Sequence, residues 1–196
     1  MKKIIGILLF IPMLASAQTS IHDTKAYVYG LDFSKAKLVG AVGFTNPAQV
    51  KDYYFNEWNN LLVNEKDKYN IPKFFKKSEV IYDLSVVEKR NKAVKMDGLV
   101  TESPYELEDK EVEKIISSYK TEQKSGLGIV FVVNSFDKLN EKATLHVVLF
   151  DLSNKKILAM DKMSQDPSGF GIRNYWMGAV YGIMKKVPKN KNIWSK

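Results

Sequence analysis

Apolar positions along this 196-residue chain switch between a spacing of two and a spacing near 3.6. That switching predicts a mixed α/β domain, with strands where alternation holds and helices where the longer period takes over. Alternation over Ala26 to Phe33 predicts the first strand, with Tyr27, Tyr29, Leu31 and Phe33 on one face. Lys37 to Phe44 reads as a second short strand or hairpin arm, weakened by Gly40 and Gly43. Asn46-Pro47 marks a helix start, because Asn caps free amides and Pro suits the first turn. Val50, Tyr54, Trp58, Leu61 and Leu62 form the stripe of that helix, which runs to Tyr69 ahead of Pro72.

Glu79 to Val87 is predicted as a strand, with Val80, Tyr82, Leu84 and Val86 alternating. Glu88 to Pro104 is a long connection, in which either Ala93 to Val100 holds a local strand or the whole is a mobile surface lobe. Glu108 to Lys124 is the second helix, buried along Val112, Ile115, Ile116 and Tyr119. Gly126 to Asn134 is the most apolar strand and is predicted to be central. Thr144 to Asp151 and Lys156 to Met163 make a hairpin around Ser153-Asn154. The last helix runs from Arg173 to Val187, and Gly178 and Gly182, one turn apart, predict a close approach to the sheet. Right-handed crossovers then give a mostly parallel twisted sheet, about three packing helices and a late antiparallel hairpin. The predicted core holds Val28, Trp58, Leu61, Val80, Leu84, Ile115, Ile129, Phe131, Val147, Trp176 and Val180.

The ends of the chain read differently. Lys2 and Lys3, the apolar run Ile4 to Leu14 and the small residues Ala15-Ser16-Ala17 follow the order of a cleavable secretory signal. The run is too short for a membrane span, which needs ~20 residues. The expected organisation is a leader over 1–17, one domain over 18–187 and a basic flexible tail over 188–196, with the mature protein periplasmic or secreted. The chain has no cysteine, so disulfides, thiol catalysis and a lipidated cysteine are excluded. Formal charge is +8, or +6 without Lys2 and Lys3, and Arg90 and Arg173 are the two arginines. Base and phosphate recognition favour arginine, so the lysine excess reads as a solvated surface rather than a nucleic-acid interface.

Candidate chemistry is sparse. His22 and His146 lack metal-ligand spacing, and no metal or cofactor is expected. No Gly-x-Ser-x-Gly elbow is present. Asp32, near the carboxyl end of the first strand, lies at the edge where open α/β sheets bind ligands. Asp83 and Asp151 are the other carboxylates considered for glycoside hydrolysis, and turn or capping duty is the alternative for each. Gly126-Leu127-Gly128 precedes a strand and reads as a turn. Gly169-Phe170-Gly171-Ile172-Arg173-Asn174 is the segment most suited to recognition. Its glycines free the backbone, Phe170 is a large apolar residue in a loop, and Arg173 sits at a helix start where a cation opposes the dipole. A carboxylate partner would explain Arg173, either a ligand's or an internal one such as Asp166.

The element order, with Asp151-Leu152-Ser153-Asn154-Lys155-Lys156-Ile157-Leu158-Ala159 as the late hairpin, resembles the N-terminal domain of TolB and the curli-pore lipoprotein group. Those are cell-envelope proteins of Gram-negative bacteria. The resemblance implies an envelope-associated, non-catalytic binding or assembly module whose partner is an envelope protein or wall polymer. A carboxylate-based hydrolase of envelope glycans is the alternative.

Overall fold

The computed structural model describes residues 18–195, so the leader expected over 1–17 lies outside them. Strand β1 spans Lys25–Asp32 and β2 spans Lys37–Val39. The side chain of Asn46 accepts from the Gln49 amide and opens a helix, Pro47–Gln49, as the Asn-Pro pair predicts. That helix passes through a π-helical stretch, Val50–Tyr54, into Phe55–Asn64, and the three together are α1. It stops short of Tyr69 because Asn70 caps a new helix, α2 (Ile71–Phe74), and Tyr69 turns into the core between the two.

Strand β3 is Glu79–Tyr82 and ends earlier than the alternation predicts. Asp83 accepts from both the amide and the hydroxyl of Ser85, and this local turn starts helix α3 (Ser85–Lys92). Val86 and Val87 are therefore helical, and Val80 and Leu84, expected in the core, are half-buried. The rest of the long connection contains a short strand, β4 (Val100–Thr101). Helix α4 is Asp109–Ser117, shorter than predicted, and β5 is Leu127–Asp137. Strands β6 (Lys142–Asp151) and β7 (Ile157–Gln165) form the predicted hairpin. Helix α5 is Gly171–Lys186. The described part of the expected flexible tail is docked: α6 (Lys191–Trp194) buries Ile193, and the Trp194 indole donates to the Val187 carbonyl.

The domain is mixed α/β, as the period switching predicts. Strand β5 is buried over nearly its whole length and is central. One of its edges is shared in tandem. Ala26 to Asp32 pair in parallel with Leu127 to Val132, then Lys37 to Val39 pair with Ser135 to Asp137. Outside these lie β3, parallel to β1, and β4, parallel to β2. The other edge of β5 carries β6 and then β7, both antiparallel. Helices cover both faces. α1, α2, α5 and α6 share one apolar cluster with Leu31, Phe131 and Val147. α3 and α4 share a second with Tyr29, Val130 and Val148. The predicted close approach of α5 to the sheet is present at Gly182, where a Cβ would stand 2.5 Å from the Gln165 side chain of β7; Gly178 instead meets the loop after β7, where a Cβ would stand 2.0 Å from the Ser168 carbonyl.

Strand β1 departs from its predicted alternation. Tyr27 and Tyr29 face the α3–α4 side, whereas Leu31 and Phe33 face the α1–α5 side, so the four do not share a face. The β1–β5 register shifts between Val28 and Gly30, and Gly30 takes φ of 89°. This bulge inserts one residue and reverses the alternation. A Cβ at Gly30 would lie 2.2 Å from Asn59 Oδ1 and 2.8 Å from Leu84 Cδ2. Gly30→Ala combines that collision with a left-handed φ, and urea unfolding should show a loss of at least about 2 kcal/mol.

One lysine links the first and last described segments, Ile21 to Asp23 and α6. Lys77, 7% exposed, donates to the carbonyls of Ile21 at 2.5 Å and Asp23 at 2.8 Å and lies beside the Trp194 ring. Burial lowers its pKa from 10.5 to about 8. Between those values the folded chain binds fewer protons than the unfolded one, so stability rises with pH across the window. Burial also pushes the Tyr69 phenol up to about 12. Above ~10 the unfolded chain releases phenolic protons that the folded chain keeps, which reverses the trend. Unfolding free energies from urea titration should thus increase from about pH 8 to pH 9.5, with a slope from Lys77 of at most about 1.4 kcal/mol per pH unit. Lys77→Met should flatten that increase.

Candidate functional site

At the carboxyl end of β1 the bulge turns Asp32 toward α4. β3 leaves β1 at Val28, whose carbonyl accepts from the Asp83 amide. Two buried asparagines then occupy the vacated edge. Asn59 of α1 accepts from the Leu31 amide at 2.7 Å and donates to the Leu31 carbonyl at 3.1 Å. Asn91 of α3 accepts from the Phe33 amide at 2.7 Å and donates to the same Leu31 carbonyl at 3.0 Å. The backbone on either side of Asp32 is thereby fixed.

Asp32 is fully buried. Its Oδ2 accepts from Arg90 Nε at 2.8 Å and from the Tyr119 hydroxyl at 2.6 Å, and its Oδ1 accepts from the Ser34 amide at 2.7 Å. Burial pushes the Tyr119 phenol well up, with the Asp32 charge adding to the effect, so the hydroxyl stays protonated and donates. Arg90 is fixed on all sides. Beyond Asp32 it donates to Ser118 Oγ at 2.9 Å and Ser34 Oγ at 3.0 Å, and its guanidinium lies 5.2 Å from the Tyr119 ring centroid. Three of five N–H groups are thus engaged and two remain.

Arg90 also lines a cleft of about 650 Å³ with Lys35, Lys37, Lys95 and Tyr105. Lys37 donates to the Gly98 carbonyl and lies 5.7 Å from the Tyr105 ring centroid. Among the described residues, Lys35 and Lys95 have no ion-pair partner; Asp97 is the one acid on the wall. A pre-oriented planar guanidinium with unpaired lysines beside it is suited to a carboxylate or phosphate.

The Gly169 to Asn174 segment lies elsewhere. It enters α5 on the α1 side of the sheet, whereas Asp32 faces α4. Gly169 and Gly171 both take positive φ, 119° and 75°, and hold Phe170 97% exposed between them. Arg173 meets internal carboxylates, but not Asp166. Glu57 lies 3.8 Å and Glu65 3.6 Å from its guanidinium, while Asp166 pairs with Lys142 at 3.3 Å. Arg173 also donates to Asn174 Oδ1, and Asn174 donates to the Phe170 carbonyl at 3.3 Å. Its charge is therefore directed to α1 rather than to an open anion site. Asp83 and Asp151 serve turns, each accepting from a serine two residues on. The residue that sequence reasoning passed over is Arg90. Its only signal was that it is one of two arginines among many lysines, in a stretch assigned to a connection.

Searches against family models, curated proteins and solved structures found no match to this chain. Tyr119→Phe keeps the ring under Arg90 and removes one hydrogen bond to the buried carboxylate. It should lower stability by about 1.5–3 kcal/mol in urea titration, the usual range for bonds to charged groups.

Proposed function

We propose that this chain is an exported, non-catalytic binding module of the cell envelope that holds an acidic partner, an envelope protein or a wall polymer, in the cleft beside Arg90. The observation that carries the reading is the fixed guanidinium with two N–H groups unspent, flanked by Lys35 and Lys95. A cation held in place before the ligand arrives loses little entropy on binding, which favours recognition over general attraction. The likeness of the element order to the TolB N-terminal and curli-pore type supports the envelope part of the reading, as does the leader-like start of the sequence. Asp32 is the acid on which glycan hydrolysis would rest. It is buried, and both of its oxygens are occupied by Arg90, Tyr119 and Ser34, which supports binding over hydrolysis.

Co-sedimentation with isolated wall polymer and capture from an envelope extract test this. The wild-type chain should be retained at low salt and released as salt rises, since exposed charges are screened beyond ~10 Å at 0.1 M. The Lys35→Ala/Lys95→Ala double variant alters exposed side chains alone and should keep its circular dichroism while retention falls about tenfold, a loss of ~1.4 kcal/mol. Unchanged retention by that folded variant overturns the reading.

A further inference from the structure

A short strap connects the cleft to a buried histidine. Tyr105 forms part of the cleft wall, and its carbonyl accepts from Asn134 Nδ2 at 3.1 Å. Glu106 pairs with Lys162 of β7. The Leu107 amide donates to Asn134 Oδ1 at 2.6 Å, and its side chain is buried. Asp109 begins α4. Beneath this strap lies His146 of β6, fully buried, with neither ring nitrogen hydrogen-bonded. Its Nε2 is 3.5 Å from Asp109 Oδ1.

The charged groups facing His146 are Asp109 and Glu106 from the strap and Lys162 from β7, its cross-strand neighbour; β5 contributes the apolar Val132. Burial lowers the pKa of His146, outweighing the attraction of Asp109. A leucine at this position would orphan no polar atom, so the imidazole is held there at a cost to stability. Protonation raises that cost. The imidazolium has two N–H donors, and at most one of them faces Asp109, a carboxylate that is itself 71% exposed and screened by water. Relief comes from admitting water by lifting the strap, which is held to the sheet by Asn134, by the buried Leu107 side chain and by the Glu106–Lys162 pair.

We propose that Tyr105 to Asp109 is a proton-operated latch: uptake of a proton by His146 lifts the strap and draws Tyr105 away from the cleft. In the closed latch the imidazole is neutral and the Tyr105 wall is in place; in acid the open form gains population. Between the closed-state and open-state proton affinities, each pH unit shifts this equilibrium by up to about tenfold. The latch stands on the geometry around His146 alone. Its consequence for ligand retention rests on the proposed function of the cleft.

Hydrogen exchange read as protection factors between about pH 7 and pH 5 tests it, with the Leu107 amide as the reporter. In the wild-type chain that protection should fall by up to about tenfold per pH unit, while the central β5 amides stay level. His146→Leu, which keeps an apolar filler, should remain folded and remove the pH dependence. A level Leu107 amide in the wild type, an equal fall in the variant, or a fall shared by the β5 amides overturns the latch. Wall-polymer retention measured on the same two proteins reads the cleft separately. If the latch operates, retention should drop in acid for the wild type and hold for His146→Leu; no retention at either pH would sink the proposed function and leave the latch intact.

Discussion

Two amide side chains finish a job that a strand leaves undone. Where β3 diverges from β1, Asn59 and Asn91 satisfy the amide and carbonyl of Leu31 and the amide of Phe33. Buried backbone groups without partners would cost about 1–3 kcal/mol each. Because the substitutes come from two different helices, they tie α1 and α3 to the same residue of β1 from its edge. The bulge at Gly30 is tolerable only with this support, and the orientation of Asp32 follows from the bulge. Asp32 orients Arg90, and Arg90 supplies the fixed cation of the cleft. The site is thus a chain of dependencies, each link a directional hydrogen bond.

Charge is handled in two ways in this molecule. Most lysines are exposed or loosely paired, and such pairs contribute ~0–1 kcal/mol. A few ionisable groups are deeply buried: Asp32 with two side-chain donors and a backbone amide, Lys77 with two carbonyls, and His146 with none. The contrast separates structural from responsive positions. Asp32 and Lys77 are each held by more than one hydrogen bond, so removing a partner costs stability. His146 has no hydrogen-bond partner for either ring nitrogen, which makes it the buried group with most to gain from admitted water.

The start of β1, the central place of β5 and the late hairpin were legible because alternation and apolar density report burial directly, whereas the strands expected over Lys37 to Phe44 and Glu79 to Val87 stop at Val39 and Tyr82. The bulge was not legible. Gly30 gives no local sign that it reverses the faces of β1, since the reversal depends on Asn59 occupying the space a Cβ would need. Helix α3 was hidden because Val80, Tyr82, Leu84 and Val86 continue a period of two across the Asp83–Ser85 turn. With α3 unseen, Arg90 and Asn91 had no reason to point at β1, and their partners Asp32, Leu31 and Phe33 lie 58 to 60 residues away in sequence. Of the two arginines, Arg173 stands out in the sequence because its helix-start position looks costly; Glu57 of α1 and Glu65 just after it answer for it. The docking of α6 had one signal, the apolar pair Ile193-Trp194 inside an otherwise polar end.

The tandem use of one edge of β5 shapes how the fold is reached. Ala26 pairs with Leu127 and Lys37 with Ser135, so the first two strands are made about a hundred residues before the strand that receives them. Until then β1 has only the four-residue β3 as a strand partner. Such a topology folds late and all together rather than by growth from its N-terminus, because the loop-closure entropy must be met before the central pairing stabilises anything. A chain that lacks β5 accordingly lacks the shared partner of β1 and β2, and the sheet becomes continuous only once β5 and the hairpin behind it join.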